Sequence, residues 1–395
     1  MMKERNPQSP IFKMGILSIS MLLMVAPSIA PAVPLMMQTF STQSTSAVET
    51  LSTIPNLGII LGIFLSSWVA LKIGEKKTVM TGLTLALISG FIPALSSNYT
   101  VVLTMRFLFG IGIGLFNSLA ISLIAQYYTG DELSTMMGFQ NAINALGATL
   151  LAFAVGFLVT FGWHETFLIY LIIIPIMLIF ALVVPDKKQI SVQADKRPTT
   201  KQHVNGAVIG ISILTFFIYV FFMVVTVKLS NLLIVTKLGT ASQAATILGT
   251  FTLVTMLVGL IYGRVYKLLK RHILPLGFLI IALGFLLGGT AQTLTAIIIG
   301  VLIIGLGFGL SIPYIYTIVN VKAPKGSENL ASALVLVMTN IGVFISPIMI
   351  DFISKLFGST EPTVNMLVSA GGFLILFIVS LLMNLIVKDQ VKQED

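Results

Sequence analysis

Gly110-Ile111-Gly112-Ile113-Gly114-Leu115 recurs 195 positions further on as Gly305-Leu306-Gly307-Phe308-Gly309-Leu310. The same shift superimposes Gly15 on Gly210, Gly82 on Gly277 and Gly147 on Gly342, so six glycines of the first half reappear in the second. Chance gives roughly one or two coincidences at a fixed shift, so six mark an internal repeat. Both copies of the motif lie in long apolar runs. The chain of 395 residues is 56% hydrophobic and 9% charged, against about a quarter charged in ordinary soluble domains. A soluble fold of this composition would aggregate. With no cysteine in the chain, a disulfide framework, a thiolate metal site and a cysteine nucleophile are all ruled out.

Apolar runs long enough to span a bilayer, about 20 residues each, recur from end to end. Twelve are expected, at 14–37, 50–71, 78–96, 101–125, 136–161, 165–184, 206–235, 242–266, 273–291, 294–319, 329–354 and 364–387. The first has the charge pattern of a secretory signal. Its length and Pro31 favour a retained helix. Nineteen of the 23 basic residues fall on alternate connections and on the two ends, which places both termini on the cytoplasmic side by the positive-inside rule. The net charge of +9 therefore reports topology rather than affinity for nucleic acid. A shift of 195 residues crosses an even number of spans, so the halves share one orientation. The expected fold is an all-α membrane protein of two pseudo-symmetric six-helix bundles, residues 1–184 and 206–395, joined by a cytoplasmic basic linker at 185–205.

This arrangement resembles the major facilitator superfamily over the whole chain, and local motifs carry the likeness further. The family's loop between helices 2 and 3 usually reads Gly-x-x-x-Asp-Arg-x-Gly-Arg-Lys. Here it is Ser67, Leu71, Lys72, Gly74, Glu75, Lys76 and Lys77. The glycine and basic end are kept, but Leu71 replaces the acidic residue that helps latch the inner gate in the family. In the second half, Gly263-Arg264 to Lys270-Arg271 corresponds. Arg106 with Gly110, Gly112 and Gly114 is similar to the family's helix 4 pattern, in which an arginine takes part in proton coupling. Gly138, Gly147 and Gly156 match half of the glycine pattern of its exporters, with Leu151 and Ala152 where those have Gly-Pro. The closest pattern is the twelve-helix drug:proton antiporter branch. The likeness implies a site near the midplane and alternating access by rocking of the halves.

Ionisable residues inside spans are functional candidates by default. Arg106 sits toward one end of its span, where proton coupling or substrate contact competes with snorkelling. Lys228 has the same two readings. Asp351 is expected to pair with Lys355 one turn away, with a proton-carrying role as the alternative. Glu49, at the mouth of the second span, is expected to be solvated. The middle third of every span lacks formal charge, which favours apolar or uncharged polar substrates. Asn117, Gln140, Asn144, Tyr219 and Tyr314 supply neutral hydrogen-bonding groups for a cavity wall, or for bonds between helices. Gly74, Gly110, Gly112, Gly114, Gly147, Gly307 and Gly309 are expected to serve helix packing and gating.

Neither a metal-binding His-Glu-x-x-His nor a Gly-x-x-x-x-Gly-Lys-[Ser/Thr] phosphate loop occurs in the sequence, so no enzyme, cofactor or metal site is expected. The reading is a monomeric secondary transporter of the plasma (inner) membrane, exporting small amphipathic molecules in exchange for protons. Uptake of a small organic solute, an anion if Arg106 and Lys228 line the cavity, is the alternative. A membrane scaffold or receptor is a remoter one.

Overall fold

Apolar runs become helices where capping side chains start them and special backbone angles stop them. In the computed structural model, which describes residues 8–185 and 203–393 and the side chains of all of these except Ser134 and residues 383–393, the elements are helical throughout. The chain divides into two compact units, Met1–Thr199 and Thr200–Asp395. Most of the linker expected at 185–205 lies outside the described residues.

In the first unit, α1 is a bent pair, Pro10–Leu22 and Ala26–Thr39, turning by 47°. It is followed by α2 (Thr45–Ile73), α3 (Glu75–Leu95), α4 (Tyr99–Tyr127), α5 (Gly130–Leu158) and α6 (Glu165–Val183). The second unit holds α7 (Gly206–Val235), α8 (Ala241–Leu269), α9 (Ile273–Thr290), α10 (Leu294–Lys322), α11 (Glu328–Leu356) and α12 (Pro362–Gln393). Ser44, Asn98, Asn205 and Thr293 each accept a backbone N–H of the first turn of α2, α4, α7 and α10, which satisfies one of the orphaned donors there. Thr240 and Gln243 form a reciprocal capping box on α8. Ala241 to Thr290 runs as 50 nearly unbroken helical residues, roughly 75 Å if straight against a hydrocarbon core of about 30 Å. Lys270, at φ +45°, breaks it into two spans. The twelve expected spans are therefore all present, with the first one bent at its proline-rich centre.

Gly74, at φ +87°, separates α2 from α3. A Cβ there would meet nothing within 4 Å, so the backbone angle and not packing calls for glycine. Most of the glycines that repeat at the 195-residue shift let main chains touch. In the first unit a Cβ on Gly112 would lie 2.8 Å from the Gly82 carbonyl oxygen of α3, and one on Gly114 2.7 Å from Gly62 Cα of α2. In the second, a Cβ on Gly307 would lie 2.6 Å from the Gly277 oxygen of α9, and one on Gly309 2.9 Å from Thr255 O of α8. Gly147 meets Met21 of α1, and Gly342 meets Phe216 of α7. Gly82 and Gly277, like Met21 and Phe216, are themselves 195 residues apart, and Gly62 and Thr255 fall within two residues of that shift, so the repeat in the sequence is a repeat of contacts. Gly210 is the exception: it has no neighbour, whereas its match Gly15 packs on Val183.

Gly307→Val is expected to force α9 from α10 and to lose at least about 3 kcal/mol, beyond ordinary overpacking. Gly259→Ala, on a face of α8 with nothing within 4 Å, is expected to be neutral or slightly stabilising. Monodisperse protein recovered by size exclusion after mild heating distinguishes the two.

Candidate functional site: two buried charge centres

Proline at position 55 determines the first centre. Without an N–H it leaves the Leu51 carbonyl of α2 unsatisfied, a cost that cannot be relieved by water in a bilayer. Arg106 of α4 fills that position, its Nε donating to Leu51 O at 2.9 Å. Nη1 donates to Tyr170 Oη of α6 at 2.6 Å, and Nη2 donates to Ala26 O, the first residue after the break in α1. Gly110, one turn beyond Arg106, makes the approach possible, since a Cβ there would lie 2.7 Å from Pro55 Cα. The guanidinium carbon also lies 5.1 Å from the Phe109 ring centre and 5.7 Å from that of Tyr170, a cation–π arrangement.

Arg106 is fully buried and does not snorkel. Its hydrogen bonds go to three neutral oxygens on three helices. Asn117 is half-buried on the same helix, and no hydrogen bond links it, Gln140 or Asn144 to Arg106. Gln140 is buried. Asn144 Oδ1 is buried without a hydrogen-bond partner among the described residues. Glu49 corrects the expectation of a solvated carboxylate: it is 0% exposed. Ser44 caps α2 at Thr45, so Glu49 already lies inside the helix, on the face that buries Ser52, Thr53 and Asn56.

The second centre joins α7, α11 and α12. Lys228 Nζ lies 2.6 Å from Asp351 Oδ1, with the two residues 1% and 6% exposed. Asn365 Nδ2 donates to the same oxygen at 3.3 Å and to Thr360 O at 3.5 Å. The expected Asp351–Lys355 pair does not form. Asp351 is on the buried face of α11 with Pro347, Ile350 and Ser354, whereas Lys355 is exposed. A buried carboxylate requires a partner that is desolvated with it. Ser346 Oγ donates to Val220 O at 2.6 Å, and Gly342 seats against Phe216 and Tyr219. These contacts bring the parallel helices α7 and α11 together one to three turns before the charges. Lysine side chains lean toward the helix N-terminus, which lets Lys228 reach back to Asp351.

Asn365 was not singled out in the sequence. Its only signal there is a polar residue in the first turn of an otherwise apolar run. Tyr219 packs edge-on to Phe308 at 5.7 Å, and Phe308 stacks on Phe222 at 3.7 Å. Tyr314 lies farther along α10, 6.2 Å from Tyr266. The structure brings the sequence candidates Lys228 and Asp351 into direct contact.

The family model of the Major Facilitator Superfamily matches residues 15–227 and again 211–394. No curated protein sequence matches the chain. Among solved structures, the nucleoside transporter NupG is similar at a TM-score of 0.77 with 12% identity, covering 94% of this chain and 99% of its own. A bacterial homologue of the human lysosomal transporter Spinster, inward-facing and unoccupied, gives 0.74 with 14% identity over 94% and 98%. The peptide transporter POT in complex with sulfate gives 0.73 with 13% identity over 95% and 94%. Twelve apolar helices, a repeated glycine framework and two family matches that together span nearly the whole chain lead to one conclusion: this chain belongs to the Major Facilitator Superfamily, as a multi-pass, non-enzymatic secondary transporter of small molecules.

Proposed function

We propose that the protein exports small amphipathic, drug-like molecules in exchange for protons, with Asp351 as the group that takes up the proton. The Lys228–Asp351 ion pair carries this reading. Charges inside a span are costly and are kept where they act. Protonating Asp351 would cancel one charge and leave Lys228 buried and uncompensated, a penalty of about 3–5 kcal/mol. A rearrangement of α7 against α11 would relieve it, which couples proton binding to conformation. Asn365 bonds the same carboxylate oxygen and would hold it as the ammonium leaves.

Export is supported by the glycine pattern at Gly138, Gly147 and Gly156. The charge-free middle of the spans suits amphipathic substrates. Uptake of a small organic solute is the second reading; the similar solved structures include a nucleoside transporter and a peptide transporter. An anionic substrate has less support, because Arg106 and Lys228 are both buried and bonded to internal oxygens. The proposal includes a monomer in the plasma (inner) membrane, both termini cytoplasmic, with a cytoplasmic linker between bundles 1–184 and 206–395.

Cells loaded with a fluorescent amphipathic dye test this function. Expression is expected to lower cellular dye severalfold, and an ionophore that collapses the proton gradient should abolish the effect. Unchanged dye together with gradient-driven accumulation of an organic solute would replace export with uptake.

A further inference from the structure

Around the second charge centre, Ser354 Oγ, Asn365 Oδ1 and Ser369 Oγ are buried with no hydrogen-bond partner among the described residues, and all three residues are 0% exposed. We propose that Ser354 and Asn365 hold a water against the Asp351 carboxylate, and that this water delivers the proton from the loop between α11 and α12, the outer end when both termini are cytoplasmic. The inference rests on Asp351 as the proton acceptor and adds the route and the side.

The amide of Asn365 is oriented by its donor end. Nδ2 faces two acceptors, Asp351 Oδ1 at 3.3 Å and Thr360 O at 3.5 Å, so Oδ1 is an acceptor left with no donor. It shares a carbon with Nδ2 and so stays within one water's reach of the carboxylate. Ser354 is three residues beyond Asp351 on the same buried face of α11, a spacing that puts Cβ atoms about 5–6 Å apart. Its side chain leans toward the helix N-terminus, and hence back toward Asp351. A buried water typically makes about three hydrogen bonds to groups otherwise unmet. Ser354 Oγ, Asn365 Oδ1 and the carboxylate supply them.

The two directions away from Asp351 differ. Toward the loop, Ser354 is followed at once by exposed residues, Lys355, Leu356 and Phe357, and Glu361 is exposed one turn before Asn365. Toward the middle of the span, Ser369 is followed one turn later by Phe373, 0% exposed, whose ring centre lies 6.4, 6.0 and 5.7 Å from those of Phe221, Phe278 and Phe285. Four phenyl rings offer a proton no polar step. Lys228 of α7 is the charged group packed against the carboxylate, with Lys355 and Glu361 at the mouth. The held water gives one proton to Asp351 and regains one from the loop side, so it remains water and the new O–H bond is on the carboxyl group.

Time-resolved infrared spectroscopy of the purified full chain after a drop in pH reads this protonation directly, as a carboxylic C=O band absent from the Lys228→Met/Asp351→Leu double variant. Ser354→Ala is expected to slow the band about fivefold, the factor for one hydrogen bond to the held water, with its final height unchanged. Ser354→Thr, which keeps the hydroxyl, and Ser369→Ala, on the closed side, should match the wild type. Size exclusion verifies that each variant is folded. If Ser354→Ala protonates at the wild-type rate, or Ser369→Ala slows it equally, the route is wrong while Asp351 stands as the acceptor. If the wild type gives no such band, Asp351 takes up no proton, and the route falls together with the proposed coupling.

Discussion

Arg106→Ala is expected to abolish transport and to make the purified protein markedly less stable to heat. The alanine strands Leu51 O, Ala26 O and Tyr170 Oη together, all partners of the guanidinium. Buried polar groups left unmet cost about 1–3 kcal/mol each. Hydrogen bonds inside bilayers average nearer about 0.6 kcal/mol, so three together set a loss of at least ~2 kcal/mol. Leu51 O suffers most, because Pro55 offers no replacement donor within the helix. Arg106→Lys keeps the charge but cannot span three acceptors on three helices with one ammonium, so it should recover little. Tyr170→Phe removes a single partner and should retain most transport, with a smaller fall in melting temperature. Thermal unfolding in detergent and initial rates in proteoliposomes check the series. Wild-type rates in Arg106→Ala would show that the tie between α1, α2 and α6 is dispensable.

The Lys228–Asp351 pair carries the second large effect, and a double-mutant cycle measures it. Lys228→Met and Asp351→Leu each leave one buried charge alone, at about 3–5 kcal/mol. The double variant removes both charges and should recover most of that stability, since apolar replacements of buried pairs are often neutral. Transport should separate from stability. All three variants are expected to lose accumulation driven by an imposed pH gradient, while the double variant remains folded. Asn365→Val should cost about 1 kcal/mol, through the bonds to Asp351 Oδ1 and Thr360 O. If the double variant is as unstable as the two singles added together, the pair is not a coupled unit. If it accumulates substrate as the wild type does, coupling resides elsewhere.

Periodicity and punctuation made the fold legible. Apolar runs set the spans because a bilayer fixes their length, and the glycines of the 195-residue register marked helix-packing positions without naming their partners. Glycine at a contact has no substitute where main chains meet, so Gly82, Gly112, Gly277 and Gly307 record their packing in the sequence itself. The bend in α1 was less visible, since Pro27, Pro31 and Pro34 announce irregularity without its angle. The charge centres were harder to read. Lys228 and Asp351 are separated by 123 residues, and helical spacing favours the local Lys355 over a distant partner because it knows nothing of burial. Glu49 was misread for the same reason, a position near a helix start being taken for a position near water. Arg106 was recognised as exceptional, but its purpose depends on Pro55, 51 residues earlier on another helix. Only a fold can show that a missing N–H in one span is supplied by a side chain in another.

The glycine contacts also bear on how each unit deforms. Main-chain atoms have no rotamers to change, so helices that touch through glycine slide or separate only at a high energy cost. Mechanically, α2, α3 and α4 make one stiff plate, and α8, α9 and α10 make its counterpart. Gly147 on Met21 and Gly342 on Phe216 add one such contact each, between α1 and α5 and between α7 and α11, and compliance is left to the contacts made through side chains. Arg106 reaches from the edge of the first plate into the compliant part, and the Lys228–Asp351 pair lies wholly outside the second. The two buried charge centres therefore lie where α6 and α12 join their units through side chains, beyond the contacts locked by glycine.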